Sequence, residues 1–204
     1  MRTKFVLFLV FLSLNGAQAQ ILKNTDFSNG RTSWQGTAGK VVMLDDNQQP
    51  VKSSGFGASK SSSGDDTPAP KAFPQLEVVL KKNGRQDIKQ KLNIPQRYDQ
   101  GCKITVVLKV AEDSVSKESD PDHPRWLPIY VSMYEEATQA SPNRHTAGVR
   151  GVEANGHWQT IELSVGKLNR GAKRHLELAF PVGSGTVWVK SIEATLYDEA
   201  TLDE

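Results

Sequence analysis

The chain has 204 residues, with 25 Lys+Arg against 23 Asp+Glu and a formal net charge of +2. So even a balance argues against a nucleic-acid partner, which calls for a basic footprint, and gives no pull toward an anionic membrane surface. The single cysteine, Cys102, excludes an intrachain disulfide framework, so the fold has to rest on a core large enough to stand without covalent staples.

Arg2 and Lys4 precede an apolar run from Phe5 to Leu14, and Ala17-Gln18-Ala19 places small residues where a signal peptidase reads. We therefore expect a signal peptide over 1–19 and one domain over 20–204, secreted or periplasmic after cleavage. The run is short for a bilayer span and no other stretch approaches that length, so no membrane insertion is expected. No cysteine follows the run, which argues against a lipid anchor. Losing Arg2 and Lys4 takes Lys+Arg from 25 to 23, against 23 Asp+Glu, so the mature charge is 0.

The mature chain opens on Asn24-Thr25-Asp26-Phe27-Ser28-Asn29-Gly30-Arg31-Thr32-Ser33-Trp34. Phe27 and Trp34 read as two apolar anchors joined by a tight turn, for which Asn-Gly supplies the positive φ. Short period-two alternations punctuated by Gly, Pro and Asn follow, the pattern of an all-β sandwich. Strands are expected at Lys40–Leu44, Phe73–Lys81, Asp87–Ile94, Cys102–Val110, Leu127–Tyr134, His157–Val165, Arg174–Val182 and Thr186–Tyr197. In the third, Ile88, Leu92 and Ile94 point inward with Gln90 between them, and Lys89, Lys91 and Asn93 point outward. The fourth places Cys102, Ile104, Val106, Leu108 and Val110 on one face. Cys102 then behaves as a small buried hydrophobe. Lys52–Ala72, Ala111–Arg125 and Glu135–Gly156 are expected to be long polar loops.

The positions Asn24, Phe27, Gly30 and Trp34 resemble the opening of CenC-like carbohydrate-binding modules, jelly-roll β-sandwiches of the galactose-binding-domain type. Gln90-Lys91-Leu92 with Tyr98 and the Cys102 strand is similar to that family's central strand pair. His157-Trp158-Gln159-Thr160-Ile161 is similar to its Trp-Gln strand, and Val187-Trp188-Val189-Lys190-Ser191-Ile192 to its closing strand. The resemblance implies a jelly roll of two antiparallel sheets, with Trp34, Trp158 and Trp188 in its core. It also implies a structural calcium held by an acidic residue after the opening Phe and by Asp in the closing strand. Ser28 and Lys190-Ser191 occupy those positions here, and calcium needs several hard oxygen ligands. We therefore expect no cofactor and no metal site, with the Lys190 ammonium pairing with Asp26 or a nearby carbonyl in place of the ion, or else solvated at the strand edge.

Chemistry is best placed around Trp126, Tyr130 and Tyr134. They alternate with Leu127, Ile129, Val131 and Met133, so on a strand the aromatic set faces away from the aliphatic one. Sugar rings stack their C–H faces on exposed aromatics, and phenol hydroxyls bond sugar hydroxyls. A row of aromatics across the concave sheet is what the resemblance implies for glycan binding. His123 and Arg125 in the adjoining loop, and Gln159 and Glu162 on a neighbouring strand, would select hydroxyl configuration. The plainer alternative is that some of the three aromatics pack beneath the long loops.

Catalytic signatures are absent from the sequence. His123, His145, His157 and His175 lie at no metal-ligand spacing, and no nucleophile elbow or phosphate-cradling loop occurs. A glycosidase needs two carboxylates at a set separation; Glu135-Glu136 and Asp120/Asp122 are the pairs to nominate. The expectation is a non-catalytic, glycan-binding jelly roll. The alternatives are a structural or protein-interaction module of an exported assembly and a small glycoside hydrolase.

Overall fold

A computed structural model describes residues 21–45, 72–95, 97–136 and 142–197, with the side chains of residues 136, 142–147 and 149 outside that description. The expected signal peptide and residues 52–71 of the expected first loop also lie outside it. Twelve strands are described: β1 (Gln35–Gly36), β2 (Lys40–Leu44), β3 (Phe73–Val79), β4 (Gln86–Leu92), β5 (Cys102–Val110), β6 (Val115–Ser116), β7 (Trp126–Glu136), β8 (Pro142–Glu153), β9 (Trp158–Val165), β10 (Lys173–Phe180), β11 (Gly183–Ser184) and β12 (Thr186–Leu196). No helix occurs among the described residues, and so none there is long and apolar enough to cross a membrane.

The longer strands form two five-stranded antiparallel sheets, β1-β4-β10-β7-β8 and β2-β3-β12-β5-β9; β6 and β11 pair separately. Alternation drives this arrangement. In β7 the odd positions Leu127, Ile129, Val131 and Met133 are buried, and they meet Ile104, Val106 and Leu108 of β5 in one core cluster. Ile88 and Leu92 of β4, with Leu176 and Leu178 of β10, complete the inner face of the first sheet. Each such side chain is worth about 1.5–3 kcal/mol when taken from water, enough in aggregate to hold the sandwich without disulfides. Cys102 is in this core, and burial pushes its thiol up to about 11, so it stays protonated.

The opening stretch runs beside β4 and bridges the two sheets. The Asn93 amide donates to the Ile21 carbonyl and the Ile192 amide to the Thr25 carbonyl, so the segment is tied to both sheets. Phe27 and Trp34 pack with ring centroids 5.9 Å apart, and Gly30 turns the chain at φ +64°. Asn24 is the hub. Its amide donates to the Gly30 and Thr32 carbonyls at 2.8 and 3.1 Å, and its side-chain oxygen accepts the Asn29 amide at 2.9 Å. The inward Gln90 accepts the Lys23 amide at 2.7 Å and donates to the Lys23 and Ser33 carbonyls. A buried amide in an apolar row is stable only when bonded so.

Two expectations need correction, and for Lys190 the structure favours the solvated alternative over pairing. Much of the expected polar loop 135–156 is β8, an edge strand paired along β7. Lys190 is the extra residue of a bulge between Val189 and Ser191 of β12; it is exposed and pairs with neither Asp26 nor a carbonyl among the described residues. Asp26 instead accepts the Ser28 amide at 3.1 Å, and the Ser28 bonds hold its carboxyl below the ordinary value. Trp34 is core, but Trp158 and Trp188 are not: both are half-buried on the outer face of the second sheet.

Arg174, opposite Leu92 of β4, and Glu135 form an ion pair of 3.0 Å in which both side chains are 1% exposed. Arg174 also donates to the Tyr98 and Asn169 carbonyls, and Glu135 accepts the backbone and side-chain amides of Asn169. The pair thereby ties two loops to β7 and β10. Glu135, one of the carboxylates nominated as a pair from sequence, is thus held in a buried ion pair.

Candidate functional site

The outer face of the first sheet carries a groove of about 850 Å³. Two cross-strand rows build it. In one, Lys91 of β4, His175 of β10 and Tyr134 of β7 lie side by side; in the other, Gln35 of β1, Lys89 of β4, Glu177 of β10 and Ser132 of β7. Neighbouring strands are about 4.8 Å apart and rows two residues apart are about 7 Å apart, so the rows form a compact patch. Lys23 and Ser33, held by the Gln90 bonds, line its rim. The groove thus offers the Tyr134 phenol and the His175 imidazole, several ammonium and amide donors, and the Glu177 carboxylate.

One row further along β7 the character changes. Tyr130 lies with the Arg85 guanidinium 4.0 Å from its ring centroid, and its hydroxyl donates to Glu118 at 2.6 Å. Glu118 also accepts from Arg85 Nε at 3.0 Å and from the Val182 amide at 2.9 Å. Chiefly the Arg85 bonds hold the Glu118 carboxyl at about 2, and burial raises the Tyr130 hydroxyl above its ordinary value. Tyr130 is therefore engaged through both its ring and its hydroxyl.

At the end of β7, Trp126 is 46% exposed and stacks on His123 at 5.0 Å between centroids. Its ring lies across Gly151 of β8, where an added Cβ would come within 2.8 Å of it. Arg125 donates to the Ala154 carbonyl at 2.7 Å. Of the five residues singled out from sequence, then, Tyr134 lines the groove, Tyr130 belongs to the Arg85–Glu118 cluster, and Trp126, His123 and Arg125 gather beyond it. Strand rise separates Trp126 from Tyr130, and Tyr130 from Tyr134, by about 13 Å each.

No protein-family model matches the chain, and no curated protein matches it. Solved structures do. A family 16 carbohydrate binding module matches with a TM-score of 0.51 at 8% identity, over 86% of this chain and 99% of that one. The C-terminal family 22 carbohydrate binding module of a Clostridium thermocellum xylanase matches with a TM-score of 0.50 at 11% identity, over 86% and 92%. The enzymatically active domain of bacteriophage CBA120 tailspike protein 4 matches with a TM-score of 0.53 at 6% identity, over 87% of this chain and 21% of that one. The fold is a β-sandwich jelly roll, the fold that these carbohydrate-binding modules share.

Within this jelly roll, Gln159 and Glu162 lie on β9, at the edge of the opposite sheet, rather than beside β7. Gln159 nevertheless reaches across, donating to the Glu153 carbonyl at 2.7 Å and accepting its amide at 3.2 Å. Glu162 pairs with Lys103 at 2.6 Å. Asp120 accepts the Asp122 amide at 2.9 Å, a local turn bond. The groove residues that sequence reasoning did not nominate include Lys23, Gln35, Lys89, Lys91, His175 and Glu177. The outward alternation of β4 shows the two lysines to be exposed, but nothing local shows that only β10 separates β4 from β7.

Proposed function

We propose that the chain is an exported, non-catalytic carbohydrate-binding protein that holds a glycan on the outer face of the β1-β4-β10-β7-β8 sheet. The observation that carries this reading is the groove itself: an open, polar trough with Tyr134 among donors and an acceptor, on a jelly-roll sandwich. Tyr134 stacks on a sugar ring, and Gln35, His175 and Glu177 bond its hydroxyls. Trp126, with His123 and Arg125 beside it, is a second platform for a longer chain passing over Tyr130. The exposure of Trp126 and the openness of the groove favour a glycan over a protein-interaction role for these rings. Glu177 is the one carboxylate lining the groove among the described residues, and Glu135 is buried against Arg174, which speaks against hydrolysis.

The test is binding of the purified mature chain to a panel of soluble and insoluble glycans, with Tyr134→Ala and Trp126→Ala alongside. Loss of an aromatic anchor costs about 1–3 kcal/mol, so Tyr134→Ala should weaken binding roughly tenfold or more. Trp126→Ala should weaken binding of long chains and leave short oligosaccharides unaffected. Unchanged affinity in a folded Tyr134→Ala variant would sink the assignment.

A further inference from the structure

We infer that the groove selects an acidic glycan, one bearing carboxylate or sulfate groups, over a neutral one; this rests on the carbohydrate-binding reading above. Lys23, Lys89 and Lys91 line the groove and face a single carboxylate, Glu177. All three lysines are exposed, and no ion pair involves any of them among the described residues. Even Lys89 and Glu177, directly opposite in register, form no salt bridge.

Elsewhere on the described surface some cations are paired, while others, such as Lys82 and Lys190, stand alone; what sets the groove apart is that three unpaired lysines share one trough. Lys40 pairs with Glu77 at 3.1 Å, Lys103 with Glu162 at 2.6 Å and Arg170 with Asp99 at 2.8 Å. The balance of acids and bases over the whole chain is close to even, 25 against 23, so the excess in the groove is a local feature. A trough in which one sign of charge predominates, here three lysines against one carboxylate, focuses potential into itself and attracts the opposite charge. The cations are lysines rather than arginines. Ammonium groups on flexible stems act as movable point charges, which suits a polymer with repeated anionic groups better than one fixed bidentate partner.

The rows give each part a role. Lys89 and Lys91 alternate along β4 about 7 Å apart, on the side of His175 and Glu177 away from Tyr134. A sugar stacked on Tyr134 therefore turns its substituents toward the β4 cations. Glu177, between Lys89 and Ser132 in the second row, disfavours any anionic group directed at it and restricts the charge to the lysine side.

The experiment compares the mature chain's affinity for polygalacturonate, dextran sulfate, and neutral xylan and galactan, at low salt and at 0.5 M NaCl. Lys89→Ala/Lys91→Ala tests the cations, Glu177→Gln the lone carboxylate, and Lys82→Ala, exposed and outside the groove, serves as the control. An acidic polymer should bind at least tenfold more tightly than either neutral one at low salt, with the advantage shrinking as salt screens the charges. The double variant should lose about tenfold toward the acidic polymer, Glu177→Gln should gain about two- to threefold, and Lys82→Ala should change nothing. The polygalacturonate and dextran sulfate arms assign carboxylate or sulfate. A neutral polymer binding as tightly as the acidic ones would overturn the charge inference and leave the glycan reading standing. Equal losses in Lys89→Ala/Lys91→Ala and Lys82→Ala would overturn it as unselective polyanion binding. Binding to no polymer at all would overturn both readings together.

Discussion

The two outer faces of the sandwich use the same residue types to opposite effect. On the second sheet, Trp188 of β12, Lys109 of β5 and Trp158 of β9 stand in one cross-strand row. The Lys109 ammonium lies 4.6 Å from the Trp188 ring centroid and 5.1 Å from that of Trp158, and Lys109 is 8% exposed. Burial pulls its ammonium below the ordinary value. On the first sheet, Lys91 is two strands from Tyr134, with His175 between them, and both face an open groove. One strand of separation decides the outcome. Where a lysine is the direct neighbour of two rings, cation and aromatics satisfy one another and the face closes; where a third side chain intervenes, cation and ring stand apart along an open groove.

The largest expected effect strikes both faces at once and serves as the reference for the rest. Glu135→Ala leaves the Arg174 guanidinium buried with its carboxylate partner gone, a loss of about 3–5 kcal/mol. Chemical denaturation should show that loss with the unfolding still cooperative. Replacing both partners, as in Glu135→Leu/Arg174→Met, should recover part of it. A single-variant loss below 1 kcal/mol would mean that the pair does not tie the loop end together. Next comes the closed face. Lys109→Ala removes a buried stem and its contacts with two rings, for about 2 kcal/mol of stability. Glycan affinity should be unchanged, since Lys109 is on the far sheet. A change in affinity would show that the two faces are not independent.

How much of this was legible in the sequence depends on range. Period-two alternation is local, and it gives eight strands, the inward set of β7 and the outward set of β4 correctly. Strand β8 escapes because an edge strand with few apolar residues, such as Pro142–Glu153, carries a weak alternation signal. Trp188 was readable but was read wrongly. It alternates with Val187 and Val189, both fully buried, so strand geometry places it on the outer face whatever motif it matches. The groove could not be read locally at all. It needs β1, β4, β10 and β7 in that spatial order, and strands distant in sequence acquire that order only through tertiary packing.

Tyr130 is the closed face in miniature on the open sheet. Arg85 covers its ring as Lys109 covers the tryptophans, and Glu118 takes its hydroxyl. This cluster should reveal itself by pH. Glu118 has its carboxyl held at about 2 against an ordinary 4.5, mainly by the Arg85 bonds. A depressed folded value means stabilisation that is fully present above about pH 4.5 and is lost as pH falls toward 2. Partial exposure of Arg85 limits the gain through screening, to about 1 kcal/mol. Thermal unfolding of the parent and of Glu118→Gln should therefore differ most at neutral pH and converge as pH falls through that window. A difference that is constant with pH would mean that the carboxylate charge is not what holds Arg85 over Tyr130. The same variant bears on the glycan site. If freeing Tyr130 raises affinity for long chains, its ring is a stacking surface masked by Arg85; if affinity is unchanged, the cluster is purely a brace between the groove and Trp126.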